Sequence, residues 1–316
     1  VITPIKDGYG PEADRSNLAD YLEVLALSGD SLRRAELADF LSDRDWVVRS
    51  RELFELGDPL DEEPSEDEDE GGAGAAPSEV AAGDVFEVLA LRMQELGDRY
   101  PFFLTDTRLE LRDPQTDDHA AYLALLAITI AHHHKLSCGV APERLFEECV
   151  AQAMTSRGLR TVDTGAVGRG QGKFPELVLA VGDAIGLVGA PAAAVYRTSA
   201  NEEGVDTVSH LTWGDQRAGH WVFIGQATCA KSNEWARKIE EPRPEQWKDL
   251  LTSVVPPIGY LAVPHHVEDA HMTHLSRNHS RLVLDRLRLS RHLVPSAGQA
   301  AIVEAVRSAD VFHPLR

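Results

Sequence analysis

The chain has 316 residues, more than one ordinary domain needs, and its 51 acidic against 31 basic side chains give a formal net charge of −20. That balance offers no general attraction to nucleic acid, so any such partner requires a local basic patch. The longest uncharged apolar stretch, Tyr122 to Ala131, is too short to span a bilayer, and no membrane partner is expected.

In chain order, residues 16–46, "SNLADYLEVLALSGDSLRRAELADFLSDRDW", predict two helices broken at Ser28-Gly29-Asp30, with Asp30 or Ser31 capping the second. "DEEPSEDEDE" at 61–70 then merges into "GGAGAAPSE". Such a run buries too little apolar surface to order itself, and reads as a flexible linker over 58–80 or as a mimic of nucleic-acid charge. "DVFEVLALRMQELG" predicts an amphipathic helix ending at Gly97, "YPFFLTDTRLELRD" a hairpin, and "DDHAAYLALLAITIAHHH" a buried helix whose terminal histidines suit the helix dipole. The expected organisation is a helical N-terminal region at 1–57, the acidic linker at 58–80, and a helical region with a short β element, possible as a winged-helix-like module, at 81–140.

From residue 141 helix and strand patterns intermix, which implies an α/β layer with a mixed sheet. "APERLFEECVAQAMTSRG" is a helix stopped by Gly158, and "DTGAVGRGQGKF" a loop before the helix "PELVLAVGDAIGLVG". That loop has neither GxGxxG in register nor a GK[ST] ending, so it carries no nucleotide motif. Strand-like runs follow in "GVDTVSHLTW", "GHWVFIGQAT", "IGYLAVPHHV" and "RLVLD".

The turn material in "WGDQRAGH" folds two of these strands into an antiparallel hairpin centred near Gln216. Position 206 then opposes position 226, and opposed residues project from one face, so Asp206 and Gln226 become neighbours. Thr228 lies two residues further along that face. A carboxylate beside an amide oxygen at a sheet edge suits a hard cation such as magnesium, and also reads as a simple Asp–Gln hydrogen bond. On the preceding helix, Leu145, Phe146, Cys149, Val150, Ala153 and Met154 form an apolar stripe, with Glu147 at its border and Glu148 turned toward water.

A helix with Phe-Glu, a strand with Asp, and a hairpin partner ending in an acid or amide together resemble the restriction-endonuclease-like PD-(D/E)XK nuclease superfamily, in particular a bacterial defence-associated group. The matching pieces are "LFEECVAQAM", "EGVDTVSHLTW", "FIGQATCAKSNEWARK", "YLAVPHHV" and "LVLDRLRLSRHL", over roughly residues 141 to 295. The resemblance implies a three-layer restriction-endonuclease-like α/β core over 141–316, with Asp206, Gln226 and Glu147 around Mg2+ or Mn2+ and a lysine that positions or activates water. The usual lysine position holds Thr228. Lys238 is the favoured substitute, because it shares a helix face with Trp235, and Lys231 is the second.

Arg281, Arg286, Arg288 and Arg291, with Arg277 before them, form the local basic patch, read either as DNA-binding or as a solvated helix face. His265, His266, His271 and His274 could ligate zinc, although no Cys or HExxH pattern supports a site. Cys138, Cys149 and Cys229 are scattered without a CxxC pair, and the opening residues show no apolar signal core. A cytoplasmic location is expected from both. The resulting expectation is a magnesium-dependent DNA endonuclease acting with other antiphage or restriction proteins. The alternative is a catalytically silent nucleic-acid-binding or scaffold subunit.

Deleting residues 61–76 should leave the far-ultraviolet circular dichroism and the melting transition essentially unchanged, since a solvated acidic segment contributes no buried area. Increased DNA binding after deletion would instead show charge mimicry.

Overall fold

The computed structural model describes residues 1–5, 11–43, 76–168, 174–193, 204–215, 217 and 219–313. The N-terminal half contains α1 (Pro11–Leu27), α2 (Arg34–Asp43), α3 (Pro77–Leu96), a hairpin of β1 (Phe102–Leu104) and β2 (Leu109–Leu111), and α4 (Asp117–His134). The break between α1 and α2 falls where the Ser-Gly-Asp signal puts it, with Gly29 at φ 85°. α2 starts later than an Asp30 or Ser31 cap implies. There the Glu36 carboxylate accepts from the Arg33 N–H at 2.7 Å and closes the helix start. α3 begins at Pro77, so residues 77–80 are helix rather than linker, because Pro77 and Glu79 suit a first helical turn. Ala76 is its exposed N-cap, and residues 58–75 of the expected linker lie outside the described residues.

The second half contains α5 (Pro142–Ser156), β3 (Arg160–Asp163), α6 (Thr164–Gly168), α7 (Phe174–Ile185), β4 (Thr207–Leu211), β5 (Trp221–Ala227), α8 (Trp235–Lys238), α9 (Pro244–Leu250), β6 (Ile258–Ala262), α10 (Asp269–His279), β7 (Leu282–Leu284), α11 (Arg286–Ser290) and α12 (Ala297–Arg307). β3 to β7 form one five-stranded mixed sheet in sequential order. The β3–β4 and β4–β5 pairs are antiparallel, and β5–β6 and β6–β7 are parallel. β3 had no visible signal: four residues directly after the Gly158 stop are too few to show alternation. The segment read as a Gly-rich loop opens with the short α6, and residues 169–173 lie outside the described residues.

The two-residue alternation divides the strands between two helical layers. Val162, Val208, Val222 and Ile224 face α7 and α9, meeting Val181 and Trp247. Tyr260, Ala227 and Ala262 share a buried cluster with Phe146, Cys149 and Val150 of α5. Leu261, Val263 and Val283 are covered by Trp235, Ile239 and Leu275 of the α8–α10 region. Among the described residues no helix is long and apolar enough to cross a membrane.

The division expected at residue 140 is not a gap in packing. One apolar cluster runs from Ile2 to Val306 and joins α1, α3, α4, α5, α11 and α12. Inside it lies a closed group of charges. Arg286 makes a bidentate pair with Asp20, both bonds 2.7 Å, and Arg92 reaches Asp20 at 2.8 Å and Glu23 at 2.9 Å. Arg286 Nε also donates to the Pro264 carbonyl at 2.8 Å, and the Tyr100 and Tyr122 hydroxyls donate to Glu23 at 2.6 and 2.7 Å. Burial opposes the Asp20 charge, but Arg286 and Arg92 outweigh it and hold that carboxyl well below its ordinary value.

Arg286 is therefore corrected from a DNA-binding candidate to a buried structural cation, and the adjacent Asp285 caps α11 by accepting from the Arg288 N–H at 3.0 Å. Arg286→Met should cost about 3–5 kcal/mol in denaturant unfolding, because it strands buried carboxylates without their cation. The sign with pH follows from the lowered Asp20 value. Its contribution is present above the ordinary carboxylate value of 3.8 and is lost only as pH falls through the depressed folded value. Acid unfolding of Arg286→Met should thus begin at higher pH than in the parent chain. A variant of unchanged stability that merely lost DNA affinity would contradict this assignment.

Candidate functional site

The β4–β5 register places Thr207 opposite Gly225, so Asp206 stands opposite Gln226, as the turn composition and strand period required. The Asp206 backbone is held on both sides: its N–H donates to the Gly225 carbonyl at 2.8 Å, and its carbonyl accepts from Thr164 N–H at 2.9 Å. Its Oδ2 accepts from Gln226 Nε2 at 2.6 Å and from the Ala227 N–H at 2.7 Å. Both residues are buried, at 8% and 7% exposure, and among the described residues the Gln226 Oε1 has no hydrogen-bond partner. A buried carbonyl oxygen without a donor costs free energy unless a further group completes it. The bond to Asp206 fixes the amide orientation, because a carboxylate oxygen faces the NH2 and cannot favourably face Oε1.

The two residues lie where β4 begins and β5 ends. Gln226 shares its face with Ile224 and Val222, the α7–α9 side, whereas α5 packs on the other face. Glu147 is half-buried and Glu148 exposed, in agreement with the helical wheel. Burial, then Glu143 and Glu147, push the Cys229 thiol well above its ordinary value, and α5, which carries Glu147, packs on the face of the sheet opposite Gln226.

Thr228 occupies the place next along the Gln226 face. Trp235 is buried, donates from Nε1 to the Ala230 carbonyl at 2.9 Å and stacks on His271, which seats α8 against the sheet. Lys238, three residues on, is half-buried and pairs with Glu241 at 3.1 Å. Glu241 packs on Gly204, where an added Cβ would lie 2.7 Å from the Glu241 Cβ, so this ion pair borders the entry to the Asp206 strand. Lys231 lies close enough to the end of α4 for its charge to act on His133. There burial, His134 and Lys231 push the His133 imidazole down to about 4.

No protein-family model, curated protein or solved structure matches this chain.

The remaining candidates separate. Arg281 lies over Gly259 and donates to the His279 and Ser280 carbonyls, Arg288 is exposed, and Arg291 is exposed and pairs with Glu95 at 3.1 Å. With Arg286 inside the core, the expected basic stripe is broken, because residues two apart on a helix leave on different sides. The four zinc candidates also diverge. His266 lies in the buried Arg92 group, His265 and His271 flank Trp235, and His274 contacts Asn278. Among the described residues no three His, Cys, Asp or Glu side chains are placed to hold a metal ion. The cysteines are unpaired, and burial pushes Cys149 up to about 12, which leaves it an inert thiol.

Sequence reading missed what supports the hairpin from behind. The Tyr260 hydroxyl is bonded to the Thr207 hydroxyl, and its ring lies across Gly225, where an added Cβ would sit 2.0 Å from the ring. The signal was the glycine inside an otherwise bulky strand. Gly225→Ala should destabilise the fold by about 1–3 kcal/mol or more through overpacking. It should also shift the Asp206–Gln226 register. An unchanged melting temperature for Gly225→Ala would show that Tyr260 can move aside.

Proposed function

We propose that the chain is a Mg2+- or Mn2+-dependent nuclease that hydrolyses DNA phosphodiester bonds within an antiphage or restriction system, on a restriction-endonuclease-like core. The observation that carries this reading is the buried, unpartnered Gln226 oxygen held beside the Asp206 carboxylate. Oxygen donors of this kind fit a hard cation. The order of elements supports it: a helix bearing Glu147, β4 entered through Asp206, and its hairpin partner β5 ending at Gln226. Bound there, the cation would supply an activated water and a clamp on a phosphate oxygen. Asp206 and Gln226 would hold it, Glu147 would approach from the α5 side, and Lys238 would orient the attacking water, with Lys231 as the second candidate.

A second reading is a catalytically silent nucleic-acid-binding or scaffold subunit. It is favoured by the direct Gln226–Asp206 bond, by Thr228 at the usual lysine position, and by the Lys238–Glu241 pair. The exposed acids of α3, Glu79, Glu87 and Glu95, speak against that helix entering a nucleic-acid groove.

Asp206→Asn is the sharper substitution, because it keeps an oxygen for the Ala227 N–H while removing the charge. Asp206→Ala strands buried donors at about 1–3 kcal/mol and confounds the result. In the parent chain, magnesium should raise the melting temperature and support plasmid nicking, and Asp206→Asn should abolish both. Lys238→Met should remove nicking but keep the magnesium-dependent thermal shift. A thermal shift without nicking in the parent chain selects the silent reading, and no shift with either metal rules out the cation site.

A further inference from the structure

A cavity of about 370 Å3 lies on the α5 face of the sheet, between α5, strands β5 to β7, and the segment from α11 to His292. Its size is within the range of small-molecule sites. Phe223, Tyr260 and Leu284 make an apolar floor, and the Tyr260 hydroxyl is turned away to Thr207, so that side chain offers only its ring. Arg157, Arg288, Arg291 and His292 stand around the floor, and among the described residues no Asp or Glu lines it.

The cations at this mouth are poorly compensated. Arg157 donates to His292 Nε2 at 3.1 Å, and Arg288 donates to the Val283 carbonyl at 2.6 Å; both acceptors are neutral. Arg291 has the Glu95 carboxylate at 3.1 Å, while Arg99 donates to the Arg291 carbonyl at 2.9 Å and adds a further positive charge behind it. Burial, then Arg157, Arg99 and Arg291, lower the His292 value, in keeping with its role as acceptor. A local excess of guanidinium groups over an apolar floor is unusual on a chain of net charge −20.

We propose that this cavity binds a small phosphorylated molecule with an apolar body, the phosphate between Arg157 and Arg288 and the body against Phe223 and Leu284. Among the described residues neither guanidinium has a carboxylate in ion-pair contact, although Asp285 lies near enough to act on the Arg288 charge, and two such groups match a dianionic phosphate monoester better than a monoanionic carboxylate, each offering a planar pair of donors. The site is separate from the Asp206–Gln226 pair. Phe223 and Gln226 are three residues apart on β5, so they project from opposite faces, and Phe223 lies toward the other end of the strand. The inference does not rest on nuclease activity.

The test is isothermal titration calorimetry of the full chain with adenosine monophosphate, decyl phosphate and inorganic phosphate at one ionic strength. At least one organic phosphate should bind about tenfold or more tightly than inorganic phosphate, the difference being its buried apolar body. Arg157→Gln and Arg288→Gln should each weaken it about tenfold, with unchanged melting temperatures, because each removes a charge-assisted hydrogen bond. Phe223→Ala should reduce the preference over inorganic phosphate, and Asp206→Asn should leave every affinity as it was. Preference for adenosine monophosphate assigns a nucleotide-like ligand, and preference for decyl phosphate a lipid-like one. Failure of both organic phosphates to bind at millimolar concentration, affinity equal to that of phosphate alone, or indifference to both arginine substitutions overturns the proposal. So does a short DNA duplex that competes fully for the arginines, which would make this surface a nucleic-acid contact.

Discussion

The buried pair of Arg286 with Asp20 holds the molecule's two halves to one another. The residues are separated by 266 positions, and α1, α3, α4 and α11 meet at their shared charge group. Isolated charges in such a core would be expensive, but here two guanidinium groups face two carboxylates, with tyrosine hydroxyls, a threonine hydroxyl and a backbone carbonyl filling further hydrogen-bond positions. The arrangement demands a specific geometry and so selects how the N-terminal helices dock. The bond from Arg286 to the Pro264 carbonyl carries that constraint to the end of β6, beside the strand whose Gln226 belongs to the candidate site.

The sheet separates two chemistries by strand parity. At the carboxyl end of β5, on the α7–α9 face, an acid and an amide stand together, with an amide oxygen unpartnered. On the α5 face, a cavity carries arginines around an apolar floor. Tyr260 links them, since its ring lines that cavity while its hydroxyl and its contact with Gly225 brace the hairpin that carries Asp206 and Gln226. A change in the Tyr260 ring position would therefore be felt in both places, through packing that has no spare volume at Gly225.

Much of the local structure was legible in the sequence because it follows from short-range periodicity. The helices α1, α3, α4, α5 and α7 carry their own apolar stripes and stops, and the Glu147–Glu148 distinction is a matter of 100° steps around α5. The juxtaposition of Asp206 and Gln226 was also readable. It needs only a turn centre and a period of two, and both are local to the hairpin. β3 was not readable, because a four-residue strand between a glycine stop and a helical turn carries too little pattern.

The tertiary structure alone decided what each charge does. Arg286, Arg288 and Arg291 look alike in a row, yet one is buried on Asp20, one is exposed beside a cavity, and one is paired with Glu95. Lys238 and Lys231 both follow β5, and only the packing of Trp235 and the placement of Glu241 set the first near the Asp206 strand and the second near His133. The sequence by itself determined the elements, the faces of α5 and the hairpin register, since side-chain direction along one element is set by backbone geometry. It could not determine the ion pairs, because a charge is assigned by whichever distant groups the fold brings within a few ångströms of it, and neither periodicity nor composition encodes that distance.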